Sequence, residues 1–199
     1  MLMIFKYTSK CKKMNTTTIP IHVILARDEA DGIGLQNSIP WKCTDDMFFF
    51  KRVTTETYDP ERKNAVVVGY RTARSMPLYL SGRYVRTMNR DGTYSVPSDV
   101  EHVFLGGGTS SIRHYFESCR DGKSPWPMTL LLSRVPGTYP CDTYLHDSDL
   151  PLNEYELHAT MNLGGPGGCF VDVYTKRSCP VPIRFPKAIF LMLSDTTNT

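Results

Sequence analysis

The stretch Asp31–Thr55, DGIGLQNSIPWKCTDDMFFFKRVTT, is the one around which the rest of the chain is read. It opens as a glycine-bearing loop, passes through Pro40-Trp41, and enters a helical segment with Asp45 and Asp46 in its first turn. Thr44 is a good N-cap residue, and acids suit the positive end of a helix. Met47, Phe50 and Val53 recur at i, i+3 and i+6 and predict one apolar stripe. Asp46 and Phe50, four apart, share a face. Alone, Asp46 reads as a solvated first-turn acid. Held among apolar side chains, it reads as an acid suited to protonating a buried ring. That chemistry needs a cofactor site and a substrate clamp elsewhere in the chain.

Working outward, Ile21–Ala26 is a short apolar run that predicts a buried strand. Ala65–Val68 predicts a strand buried on both faces. Gly69 ends it, and a short helix is expected over Tyr70–Met76. Arg83–Met88 alternates more weakly. His102–Leu105 predicts a strand that runs into Gly106-Gly107-Gly108, followed by a helix over Thr109–Cys119. Further strands are expected at Met128–Val135, Glu154–Thr160 and Cys169–Lys176, the last antiparallel to the strand before it. Pro136–Asp149 is loop-like, and Leu163–Gly168, rich in glycine, is a turn. Ala188–Leu193 is too short to span a membrane and is expected to be a packed tail. Strands alternating with helices imply an α/β fold with a mostly parallel central sheet, an antiparallel C-terminal strand and helices on both faces. The expected organisation is an N-terminal extension (1–20), one domain (21–177) and a C-terminal extension (178–199).

The 199 residues carry a formal charge of +3, and no dense basic run appears beyond Lys10, Lys12 and Lys13, so no nucleic-acid partner is expected. Six scattered cysteines without a C-x-x-C, and five histidines without metal-ligand spacing, predict reduced thiols and no metal site. Residues 1–19 lack acids and carry Lys6, Lys10, Lys12 and Lys13, as a mitochondrial leader would, but they also lack arginine, so a cytoplasmic chain is expected with the leader as the alternative. No membrane partner is expected, and the chain is read as a monomer.

Two further constellations carry chemistry. The strand–GGG–helix unit around Gly106, Gly107 and Gly108 offers backbone N–H groups and a helix N-terminus to a pyrophosphate. The unit Gly69-Tyr70-Arg71-Thr72, also directly after a buried strand, could hold phosphate in the same way.

With GIG at 32–34, Pro40-Trp41, DMFFFKRVT at 46–54, VVVGYRT at 66–72, LSGR at 80–83, LGGG at 105–108, LLLSRV at 130–135, CDTYL at 141–145 and VDVYTK at 171–176, the chain resembles the dihydrofolate reductase family in order over about residues 21–177. The resemblance implies NADPH-dependent reduction of 7,8-dihydrofolate to tetrahydrofolate. It implies that Asp46 hydrogen-bonds the pterin and promotes protonation of N5, with Trp41 packed near the pterin and Ser133 standing where the family has a Thr supporting the carboxylate. Met47 and Phe50 would line the substrate pocket, Arg83 would clamp the glutamate carboxylate, and the carbonyls of Ile24 and Leu105 would face the ring's amino edge, near Ala26. The cofactor would touch Ala26, Ile33, Gly34, Gly69, Tyr70, Arg71, Thr72, Asn89, Arg90, Gly106, Gly107, Gly108, Thr109, Ser110 and Ser111.

There are departures from the family pattern. Tyr70 stands where a basic residue usually binds the cofactor's 2′-phosphate, leaving Arg71, Asn89 and Arg90 for that task. Ser111 replaces a Tyr, and Ala73 a Trp. The segment between Arg90 and Val103 is too short for the strand and helix that the family places beside the adenine. Those departures motivate the alternative of a catalytically weak, reductase-like protein retained for binding. A pyrimidine reductase of similar fold is a third reading, opposed by the presence of both Asp46 and Arg83.

Overall fold

The structure, a computed structural model, describes residues 18–76, 80–164, 168–179 and 183–195. Lys6, Lys10, Lys12, Lys13 and Met14 of the N-terminal extension, Pro77 and the middle of the 163–168 turn lie outside the described residues.

A seven-stranded sheet forms the centre of the domain. Its strands are β1 (Ile21–Arg27), β3 (Lys63–Val68), β4 (Arg83–Thr87), β5 (Val100–Leu105), β6 (Thr129–Arg134), β8 (Tyr155–Asn162) and β9 (Phe170–Lys176), in the order β4-β3-β5-β1-β6-β9-β8. The pairs β4·β3, β3·β5, β5·β1 and β1·β6 are parallel. β9 runs antiparallel to both its neighbours, as the sequence predicts for the last strand. A second, two-stranded ladder pairs β2 (Gly32–Gly34) with β7 (Thr143–Tyr144), so the expected loop carries a short strand of its own.

Alternation along the strands sends side chains to two cores. Val23, Leu25, Ala65, Val67, Val103, Leu105, Leu130 and Leu132 pack on one face against Ile112, Tyr115 and Phe116 of α3 (Thr109–Arg120). Ile24, Val66, Val68, Phe104 and Leu131 pack on the other against Phe49 and Val53 of α1 (Thr44–Thr55). Ala73 of the short α2 (Tyr70–Ser75) is partly buried on that same face. The apolar run near the C-terminus is the helix α4 (Lys187–Asp195), and its Ala188 and Ile189 are fully buried beside Phe49 and Val53. Each fully buried Val, Leu, Ile or Phe side chain contributes about 1.5–3 kcal/mol.

Two local expectations need correction. The N-cap of α1 is Cys43, not Thr44, and no side chain caps it. The buried face of that helix is Asp46, Phe49, Val53 and Thr54, while Met47 is 67% exposed and Phe50 half-buried. The four residues Met47–Phe50 are all apolar, so several stripes through them fit a helix. The contact with β3 and α4 selects the one through Phe49.

The sheet opens at the carboxyl ends of its parallel strands. β1 pairs with β5 only through Val23↔Leu105; from Ile24 onward β1 has β6 as its ladder partner but no partner in β5. Gly106 continues instead along β3, donating its N–H to the Val67 carbonyl at 2.9 Å. In open α/β sheets such a split is where ligands bind.

Candidate active site

α1 crosses beside this opening. Asp46, Phe50 and Thr54 follow one another at i+4 spacing, so they form a line along the helix. From Asp46 to Thr54 that line is about 12 Å long, at 1.5 Å per residue. Asp46 is only 9% exposed. Burial pushes its pKa upward, and interaction with the Ser133 hydroxyl opposes that rise. Ser133, itself buried, lies near the end of β6 between Ala26 of β1 and Val171 of β9. Its position therefore comes from sheet register, not from the sequence around Asp46.

At the other end of the line stands Arg83, the first residue of β4. Its Nη1 donates to the Thr54 hydroxyl, and its guanidinium carbon lies 5.3 Å from the Phe50 ring centroid. Its Nε is buried and has no hydrogen-bond partner among the described residues. Desolvation lowers the Arg83 pKa. A buried guanidinium with a free N–H on its fork is suited to a carboxylate guest. Thr54 had no role assigned from sequence; its i+4 spacing from Phe50 was the available signal.

Trp41 is buried against Ala26, Val135 and Cys169, with the Tyr139 ring 5.7 Å away. The loop before it is tied down by two aspartates that sequence reading left without a role. Buried Asp28 accepts from the N–H groups of Ala30 (2.9 Å), Gly32 (2.7 Å) and Tyr139 (2.8 Å). Asp142 accepts from Gln36 N–H at 2.8 Å and donates its own N–H to the Gly34 carbonyl at 2.9 Å. Gln36 and Asn37, with φ of 50° and 62°, make the reversal between Leu35 and Ser38. Ile33 and Gly34 thus belong to a closed hairpin, with Ile33 packed partly into the core.

The glycine-rich turns that follow the neighbouring strands β3 and β5 meet on one side of the opening. A Cβ at Gly69 would collide with the Ser111 side chain, and one at Gly107 (φ 109°) would lie 3.2 Å from the Thr72 hydroxyl. A Cβ at Gly106 would come within 3.4 Å of the Ile24 carbonyl, so Leu105–Gly106 and Ile24 border the same crevice. At Gly108 a Cβ would meet nothing within 4 Å. Gly69 and Gly108 are the N-caps of α2 and α3, and neither helix start has a side-chain cap. Their first N–H groups are therefore available to an anion. The Thr109 hydroxyl is committed to the Tyr144 carbonyl at 2.5 Å, so only its backbone can face a ligand. Ser110 is exposed.

Beyond this cradle the expected cations separate. Arg71 is exposed at the start of α2, and Tyr70, 65% exposed, has Arg74 over its ring at 5.8 Å. Asn89 is used in its own turn, donating to the Thr93 hydroxyl at 2.9 Å and, through its N–H, to the Thr93 carbonyl at 2.8 Å. Arg90 lines a cavity of about 150 Å³ with Asp91, His114, Glu117, Asp121 and Lys123, so it shares its surroundings with three carboxylates and a second cation. The short segment after Arg90 holds no helix or strand before Val100; Tyr94 from it stacks on Tyr115 at 6.2 Å. Among the described residues no group of His, Cys, Asp and Glu could hold a metal, and no helix is long and apolar enough to cross a membrane.

Residues 20–105 match the family model described as dihydrofolate reductase. A bifunctional dihydrofolate reductase-thymidylate synthase of Glycine max is 37% identical over 92 residues, which is 45% of this chain and 17% of that protein. A dihydrofolate reductase of Candida albicans is 30% identical over 106 residues, covering 43% of this chain and 55% of that one. A dihydrofolate reductase of Cryptococcus neoformans is 27% identical over 174 residues, covering 66% of this chain and 76% of that protein. The match to the plant bifunctional proteins therefore spans only a small part of their length.

Proposed function

From dihydrofolate reductase family sequence over residues 20–105, we propose that this chain reduces 7,8-dihydrofolate to 5,6,7,8-tetrahydrofolate with NADPH. The observation that carries the proposal is the line along α1: a desolvated acid, Asp46, at one end, and at the other Thr54, about 12 Å along the helix, which holds Arg83, a guanidinium with a free buried N–H. A pterin with a glutamyl tail has a hydrogen-bonding ring and a carboxylate at that kind of separation.

In this reading Asp46 accepts hydrogen bonds from the pterin amino edge and favours a proton at N5. Its raised pKa suits that task, since a fully solvated acid would give up its proton too readily near neutral pH. Ser133 keeps the carboxylate oriented. The carbonyls of Ile24 and Leu105 border the crevice where the ring enters. Phe50 packs along the middle of the substrate, and Met47 on the open side of α1 can close over it. Arg83 receives the carboxylate through its fork. Trp41 and the closed hairpin of residues 28–39 shield the reacting atoms from water.

The cradle fits a dinucleotide at its pyrophosphate. Gly106, Gly107, Gly108 and the backbone of Thr109, Ser110 and Ser111 would hold it from one side, and Gly69, Thr72 and Arg71 from the other. When bound, the nicotinamide supplies a hydride to C6 of the pterin. For the adenosine end Arg71 and Arg74 of α2 are exposed, and Arg90 shares its cavity with three carboxylates and Lys123. A reduced preference for NADPH over NADH follows.

The test is cofactor oxidation by the purified chain with dihydrofolate, using NADPH and NADH in parallel, and identification of tetrahydrofolate as product. Turnover dependent on dihydrofolate is expected with both, less strongly biased to NADPH than a basic residue at position 70 would give. Absence of turnover with either cofactor at high enzyme concentration would remove the proposal.

A further inference from the structure

Cys43, Cys141 and Cys169 gather around Trp41 in one apolar cluster with Val135, Ala26, Tyr139 and Leu163. Cys119 is buried elsewhere, under α3. All are free thiols. Cys43 is the N-cap of α1, three residues before Asp46, and is half-buried. Cys169 is 1% exposed and immediately precedes β9; its carbonyl accepts the Leu163 N–H at 2.9 Å. Cys43 packs against the cluster that holds buried Cys169, and the Cys43 thiol and the Asp46 carboxylate are among the groups that act on the Cys169 thiol. A thiol at the head of the helix that carries the acid thus packs beside a thiol at the entry to β9.

We propose that Cys43 and Cys169 form a dithiol site that closes to a disulfide by exchange with a glutathione-type disulfide, joining the head of α1 to β9 beside Asp46. Half-buried Cys43 makes the first attack: its thiolate bonds to one sulfur of the small disulfide and releases one small thiolate. Cys169, confined within the cluster, resolves the mixed disulfide. It loses its proton, bonds to the Cys43 sulfur and expels the second small thiol. Two protein thiols and one small disulfide become one protein disulfide and two small thiols. Burial and the neighbouring acid raise the Cys169 pKa, so the second step quickens as pH rises.

The bridge would hold the first turn of α1 at a fixed distance from β9. A shift of the acid by a fraction of an ångström is enough to lower turnover by about tenfold. Only this consequence rests on the proposed reduction; bridge formation does not.

The test treats the full chain with oxidised glutathione at mildly alkaline pH, followed by peptide mapping, Trp fluorescence and turnover before and after dithiothreitol. A bridge mapped to Cys43 and Cys169, reversed by dithiothreitol, absent in Cys43→Ser and Cys169→Ala and retained in Cys141→Ala, is the expected result. Quenching of Trp41 should accompany it. A stable glutathione adduct on Cys43, a Cys43–Cys141 bridge, or unchanged thiols would each overturn the site. The wild-type map decides this even where a variant fails to fold. Full bridging with unchanged turnover would overturn the coupling to Asp46. A reduced protein without any turnover would reject the reductase reading and leave the map to judge the dithiol.

Discussion

Replacing Arg83 with Ala separates the two ends of the line along α1. Arg83 makes one bond to the Thr54 hydroxyl and packs its cation over Phe50. Those contacts contribute about 1 kcal/mol each. Desolvation of the guanidinium and its unpartnered Nε oppose them. The net change in folding stability should therefore stay within about 1 kcal/mol. Binding is different. Removing one partner of a partly buried, charge-assisted pair costs about 3 kcal/mol, or roughly a hundredfold in affinity. The variant is therefore expected to show a KM for dihydrofolate raised about a hundredfold, with kcat changed by only about threefold, because the reacting ring is at the other end. A dihydropterin without the glutamyl tail should be reduced equally well by both proteins. Arg83→Lys should recover only part of the loss, since an ammonium lacks the fork. Steady-state kinetics on the two substrates reads all of this. Equal losses on both would refute the clamp, and so would a large loss of thermal stability.

Two other expectations test the frame around the site. His22 and His102 are fully buried, joined Nε2 to Nδ1 at 2.9 Å, and His22 reaches the Thr129 hydroxyl at 2.8 Å. Burial, first of all, lowers the pKa of both, that of His102 to about 3. The unfolded chain therefore takes up protons that the folded one does not as pH falls below about 6.5, and stability should drop by up to about 1.4 kcal/mol per pH unit for each group. It is fully present above that pH. Denaturant unfolding between pH 7 and pH 4 should show the slope and His22→Gln should reduce it; a flat profile would contradict the buried neutral pair. Ile189→Ala should cost about 2–5 kcal/mol, because α4 fills the core against α1; a cost below about 0.5 kcal/mol, the range of surface changes, would place α4 outside the folding unit.

The parts of this protein that were legible in the sequence are those encoded locally. Ala65–Val68 and Val103–Leu105 are continuous apolar runs, and buried parallel strands need little else to be seen. The order of strands and helices, with β9 antiparallel, follows from the same runs and their spacing. What is not legible locally involves choices made by distant partners. The stripe on α1 was drawn through Met47 because four apolar residues stand in a row; β3 and α4 turn Phe49 inward instead. The expectation for Thr109 names the residue and not the atom: its hydroxyl bonds the Tyr144 carbonyl, 35 positions away, which leaves the backbone for a ligand. The surroundings of Arg90 are likewise set from a distance, by Glu117 of α3 and by Asp121 and Lys123 just after it. Asp28, Asp142 and the pairing of His22 with His102 left no local pattern, since each depends on register across the sheet or between loops.

The central claim is that a desolvated acid at the head of α1 drives reduction of dihydrofolate, and the pH profile of Asp46→Asn against wild type tests it most directly. Because the folded-state pKa of Asp46 is raised, the folded carboxylate is disfavoured above that pKa, and Asn should leave the protein at least as stable at neutral pH. Turnover should nonetheless fall by about two to four orders of magnitude near neutrality, and the gap should narrow as pH falls and solvent supplies the proton at N5. A stable Asn variant with wild-type turnover at neutral pH, or a gap that does not depend on pH, would contradict it.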